Sequence, residues 1–485
     1  MISCTCTKLK NYQFNQKTSA AALQQDLILL QQILASKHPS LYWYTPKDSI
    51  DALFNNAINS ITDSLTEVAF RNKVAYILSH IRCGHTSISF SKNYTKALPK
   101  NRFPQFPLAI KTWEDTMVVL GNYWPTDSLL KRGTIIRHIN GKSAKTILDS
   151  IFRLISTDGY SNNYKSQVIS GSFFRWYELA WGKDSVYTFT YIDKNGQSAS
   201  TNIKAFIPVK DTVTKKATTQ KTIEKPSRKA IKQSKLLSKR SLQIDSTNRT
   251  AYMRVATFSN IRLNKFFRNS FKTLTEQNIQ NLIIDIRENT GGRLSNSIVL
   301  TKYLIDKPFK TTDSAYAINR SLQYSKYIPS LIWYWFPMNF LNKKGKDGYF
   351  HFTNNENKWY TPKQKYHYNK QIYIIQGGYT FSAATMFAGN LFNQQNVTIV
   401  GEESGGGFYG NSALYLPTIV LPNSKLTVTL PLYRLVMNSN RPKDGRGIIP
   451  NMHIKPNIQA ITKGIDLKLD SIQKQIKIQP VIHLP

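Results

Sequence analysis

Three segments of this 485-residue chain, NLIIDI at 281–286, QIYIIQ at 371–376 and VTIVG at 397–401, read as continuous apolar strands. A strand with one face in water alternates apolar and polar side chains. An unbroken apolar run of strand length asks for burial on both faces, the condition of a parallel sheet covered by helices. Apolar residues at helical spacing fall around these runs, over 264–280, 294–305 and 383–392, and AYMRVATF at 251–258 supplies a preceding strand. This succession predicts an α/β core over 246–460. In such sheets ligands gather beyond the C-terminal ends of the strands.

The N-terminal half has another pattern. Helical spacing covers 20–36, 49–61 and 66–80, with Pro39 and Pro46 separating the first two stretches, and this predicts a helical domain over 18–98. From Phe103 the sequence alternates like strands, and Asn140-Gly141 is a tight-turn dipeptide before helical spacing over 142–152. A hairpin is expected over 185–206 with Asn195-Gly196 at its turn. By spacing alone, any small α/β unit fits 103–206.

Two segments past strand ends and one turn carry the chemistry. In GGYTFSAATMFA the strand passes through Gly377-Gly378 to Ser382 at a helix start, followed by Ala383 and Ala384. A nucleophilic serine needs small neighbours so that a carbonyl can approach, and the Ala383 amide could then face the developing oxyanion. Serine is also a favoured N-cap, and alone this segment favours that plainer role. In NLIIDIRENTGG, Gly291 and Gly292 make a turn flexible enough to bring up a second oxyanion donor, while Asp285, Arg287 and Glu288 read as a structural charge cluster. His85 stands in a Gly-His-Thr turn before an alternating stretch, where an imidazole could serve as general base. One histidine of eight at a turn says little by itself, and His80 reads as a structural helix residue.

Taken together, these segments resemble the C-terminal-processing and tricorn-type serine peptidase family, in its PDZ-bearing branch. HPSLYWY from His38 and the Gly-His-Thr turn are similar to the family's N-terminal part. The INGK segment is similar to its PDZ-like part, and LIIDIRENTGG, GGYTFSAATMFA and IVGEESGGG to its catalytic core. The resemblance implies a multidomain α/β (α+β) fold: helical N-terminal domain, PDZ-like region over 103–206, basic linker or loop over 207–245, crotonase-like core over 246–460, and a tail over 461–485. It implies no cofactor and no metal. Where the processing branch has its lysine base, this chain has Gly407, so the histidine-base branch is the one implied: Ser382 as nucleophile, His85 as base and Asp444 as orienting acid, with Glu402 and Glu403 as substitutes. Ala383 with Gly291 or Gly292 would hold the oxyanion. Asp444 in Lys-Asp-Gly is also an ordinary turn aspartate, and Asn451 stands where the family has an aspartate after proline. Cys83 near the base reads as a small core residue. The expected activity is endopeptidase cleavage of protein or peptide substrates; the alternative is a non-catalytic protein binding peptides or apolar ligands on the same fold.

Composition bears on partners. Lys+Arg 65 against Asp+Glu 28 leaves a net charge of +37, which raises the question of nucleic acid. The segment 209–240 holds eleven of these cations and two acids, hence +9, without an aromatic residue on which bases could stack. No zinc-finger or RNA-recognition signature accompanies the rest, so no specific nucleic-acid partner is expected. Hydrophobic residues at 41% exclude a disordered chain, and no apolar run reaches the roughly 20 residues that span a bilayer. Two of three cysteines fall in Ile2-Ser3-Cys4-Thr5-Cys6. Either an export signal lies upstream and Cys4 is lipidated in a bacterial cell envelope, or both sit on a plain cytoplasmic tail.

Overall fold

The computed structural model describes residues 12–98, 103–208, 227–259, 262–356 and 358–478. Cys4, Cys6 and residues 209–226 of the basic run lie outside them. The described part is a mixed α/β multidomain structure.

Its centre is a six-stranded sheet in the order Arg240–Asp245, Thr250–Val255, Asn281–Asp285, Gln371–Gln376, Val397–Gly401, Met452–His453, antiparallel at the first pair and parallel thereafter. The apolar runs divide by residue parity. Leu282, Ile284, Ile372, Ile374 and Ile399 pack under the helices Leu263–Glu276, Leu294–Lys302 and Ala383–Leu391, whereas Ile283, Tyr373, Ile375 and Val400 form a second cluster on the opposite face with Ile472. Both faces are therefore dry, which is why these strands do not alternate. Register aligns Asp285 with Ile375 and Gln376 with Gly401, so the loops after the three strands leave the sheet side by side.

The N-terminal helices run Ala20–Lys37, Lys47–Asn59 and Glu67–Ile81, and they do not close a core of their own. Leu27, Ile33, Phe70 and Leu78 share one cluster with Ala315, Leu331, Leu426 and Leu435 from the C-terminal half. The short strand Ile88–Ser89 pairs with Thr427–Thr429 and extends the same join. A separate helical domain over 18–98 is thus too simple a division. Residues 108–204 form an antiparallel sheet, Leu108–Trp113, Thr116–Asn122, Ile135–Ile139, Val186–Ile192, Ser198–Lys204, around a separate apolar cluster. Asn140 and Gly141 adopt φ of 50° and 75°, as a two-residue hairpin turn demands.

Two expected irregular stretches are ordered elements. Within the basic segment, Arg228–Leu237 is helical and Arg240–Asp245 is the antiparallel edge strand of the core sheet. The expected tail holds the helix Leu467–Ile478, whose Ile472 is fully buried against the back of that sheet.

Candidate active site

Ser382 stands between Phe381 and the helix Ala383–Leu391 at φ 53°, ψ −124°. A non-glycine residue there is strained, and its neighbours must hold it in place. They do so through glycine. A Cβ on Gly291 would lie 2.8 Å from Ser382 Cβ and 3.1 Å from the Ala383 nitrogen, and a Cβ on Gly406 would lie 3.1 Å from the Ser382 nitrogen. Thr380 fastens the three loops: its carbonyl accepts from the Gly405 and Gly406 amides at 3.1 Å each, and its hydroxyl donates to Ile286 O at 3.1 Å. The serine side chain makes no capping hydrogen bond, so the plain N-cap role is not adopted.

The oxyanion candidates flank this serine. Gly291 donates its own amide to Asn289 Oδ1 at 2.9 Å, which leaves Gly292 the better second donor beside Ala383. Both glycines have positive φ, 99° and 133°.

His85 reaches the site from the far end of the sequence. The helix Glu67–Ile81 ends on Arg82 in the left-handed conformation, and Cys83-Gly84-His85 turns directly onto Phe381. The His85 and Phe381 ring centroids are 4.9 Å apart, and a Cβ on Gly84 would lie 2.5 Å from the Phe381 ring. Burial holds the imidazole below its ordinary pKa, favouring the neutral form a base requires, while the Asp158 carboxylate pulls the other way. His85 Nδ1 is buried without a hydrogen-bond partner.

The carboxylate whose charge acts on His85 is therefore Asp158, a residue that no sequence motif marks. It is 3% exposed, with Oδ1 accepting from the Gly84 amide at 2.8 Å and Oδ2 from the Gly407 amide at 3.4 Å. Gly407, where the processing branch has its lysine, here contributes a backbone donor to the acid beside the histidine. Asp158-Gly159 reads in sequence as a turn and nothing more.

The expected acids have other work. Asp444 is exposed and accepts from the Arg446 amide at 2.9 Å, as a turn aspartate does, although the Gly445 carbonyl beside it accepts from Tyr160 at 2.9 Å. Glu403 is bound by Arg446 at 3.0 and 2.6 Å and by the Gly447 amide at 2.8 Å, and Glu402 pairs with Lys468. None of the three is brought into hydrogen-bond contact with His85. Asp285 accepts from Tyr252 at 2.6 Å and Arg287 at 3.0 Å, a structural cluster. Asn451 caps the sheet by accepting from the Ile399 amide at 2.8 Å. Burial pushes the Cys83 thiol up to about 11, so it is no nucleophile at neutral pH.

This architecture defines a hydrolase of the serine type. Residues 249–454 match the model of peptidase family S41, a family of serine peptidases. Among solved structures it is similar to mature CPAF, at 14% identity and TM-score 0.64 over 96% of this chain and 99% of that one. Mature CPAF complexed with lactacystin matches equally, at 14% identity and TM-score 0.64 over 94% and 98%. No curated protein matches the chain in sequence.

Proposed function

We propose that the chain is an endopeptidase working through Ser382, His85 and Asp158. Ser382 Oγ attacks the peptide carbonyl and His85 takes its proton. The tetrahedral oxyanion is held by the Ala383 and Gly292 amides, and His85 returns the proton to the leaving amine before water repeats the sequence on the acyl-enzyme. Asp158 stabilises the imidazolium by charge from its fixed seat between Gly84 and Gly407. The observation that carries this reading is the strained Ser382 backbone packed against Gly291, with the His85 ring set on the preceding residue. Ser382→Ala should lower kcat by about 10³-fold or more in a peptide-hydrolysis assay, and His85→Ala comparably, since such groups act as a unit. Unchanged hydrolysis by either variant would overturn the assignment.

The antiparallel unit over 108–204 is proposed as a PDZ-like module that takes a substrate tail by strand addition. In support, Leu108–Trp113 is an edge strand, and a cleft of about 270 Å³ beside it is lined by Thr112, Trp113, Gly378 and Arg446. A cell-envelope location with a lipid on Cys4 is part of the same proposal, and mass spectrometry of the mature N-terminus tests it.

A further inference from the structure

The helix Leu331–Leu341 (LIWYWFPMNFL) contains no charged residue and yet lies at the surface. Leu331 and Met338, each 3% exposed, seat it on the cluster shared with the N-terminal helices, and Tyr334 stacks on Tyr415 with centroids 4.9 Å apart. On the outer side stand Trp333, Phe336 and Phe340 at 77%, 54% and 79% exposure. Their spacing places them along one helix face, and the Phe336 and Phe340 rings stack at 6.4 Å. A helix apolar on every side is ordinarily buried, and an apolar patch left outside marks a contact surface.

The charges around it are mostly of one sign. From 320 to 347 the chain has Arg320, Lys326, Lys343, Lys344 and Lys346 against the single acid Asp347. Lys326, Lys343, Lys344 and Lys346 are all exposed.

We infer that this helix seats the protein on an anionic lipid bilayer, lying in the interface with Trp333, Phe336 and Phe340 among the acyl chains and the lysines at the headgroups. Eleven helical residues extend about 16 Å, roughly half of a hydrocarbon core, so the helix lies on the membrane and does not cross it. No described helix is long and apolar enough to cross. Aromatic rings beside lysines suit the headgroup boundary. Charge decides the occupant. A second copy docked on the same face would set these cations against their equals, in a chain already at +37, whereas an anionic surface complements them. The inference goes beyond the peptidase reading and does not depend on a lipid at Cys4.

Co-sedimentation of the full chain with phosphatidylcholine vesicles, and with vesicles of three parts phosphatidylcholine to one part phosphatidylglycerol, tests it. Binding is expected on the anionic vesicles, weaker on the neutral ones and diminishing with salt. Replacing Trp333, Phe336 and Phe340 together by Ser should lower partition about tenfold or more, with circular dichroism and hydrolysis of soluble peptide unchanged. Lys343→Glu with Lys344→Glu should remove the preference for anionic vesicles. The inference is overturned if the parent does not bind anionic vesicles. It is also overturned if the triple variant binds as the parent does, the basic surface alone then sufficing, or if the parent is a dimer that the triple variant makes monomeric.

Discussion

Asp158 and Ser382 show how far single residues reveal themselves. Ser382, Gly291 and His85 stand out because each is set among glycines or other small residues at a turn, and the chemistry of an exposed nucleophile and an oxyanion donor asks for such surroundings. Asp158 has no such local mark. Its partners Gly84 and Gly407 lie 74 and 249 residues away, and only their amides give the carboxylate its place. Asp158→Asn should therefore lower kcat/KM by roughly 10²-fold or more, whereas Asp444→Asn should stay within about twofold. A pH profile separates a charge effect from mere misfolding. Burial already sets the His85 pKa below its ordinary value and Asp158 raises it, so Asp158→Asn should move the acid limb of the profile to still lower pH. An acid limb that stays in place would assign the role to another carboxylate. Gly291→Ala, with φ at 99° and Ser382 Cβ 2.8 Å from the new methyl, should lower kcat by about 10²-fold or more with little effect on KM.

Elements with strong periodicity were legible and elements defined by a partner were not. The helix at 20–37 and the strands at 281–285 and 371–376 follow from apolar spacing alone, because burial on one stripe or on both faces dictates the pattern. The edge strand Arg240–Asp245 and the helix Leu467–Ile478 read in sequence as linker and tail, since each is rich in polar residues and offers the core only a few side chains. Ile472 is the informative one. It is fully buried on the back of the sheet, and Ile472→Ala should destabilise the protein by about 2–4 kcal/mol in urea denaturation, a loss that an exposed tail would not show. The turn bearing His85 depends on a further element contact. The Ser40 amide donates to His38 Nδ1 at 3.1 Å, so Nε2 carries the proton and donates to Thr86 at 2.7 Å, fixing the residue after His85.

At the scale of the whole molecule the same histidines make stability depend on pH. Burial pushes His38 down to about 3, and His85 is also lowered. Between about pH 6.5, the value in an unfolded chain, and the folded value, the unfolded state binds protons that the native state refuses, so stability falls as the solution is acidified. Burial raises the Asp158 carboxyl, so the native state takes up a proton above the ordinary carboxylate range and opposes this trend there. Thermal unfolding should show Tm declining from about pH 6.5 toward pH 4, with a shallower slope in His38→Asn. The net charge of +37 has acquired a location as well as a size: part of it flanks an exposed aromatic helix along the chain. The sheet, its covering helices, the family-like motifs and the candidate serine are legible along the chain, because these rest on local pattern and on chemistry that needs particular neighbours. Which acid serves the histidine, how the N-terminal helices share a core with the C-terminal half, and which apolar helix is left outside were decided only by the tertiary structure. Those outcomes depend on contacts between residues far apart in the chain, and spacing along a sequence carries no record of distance in space.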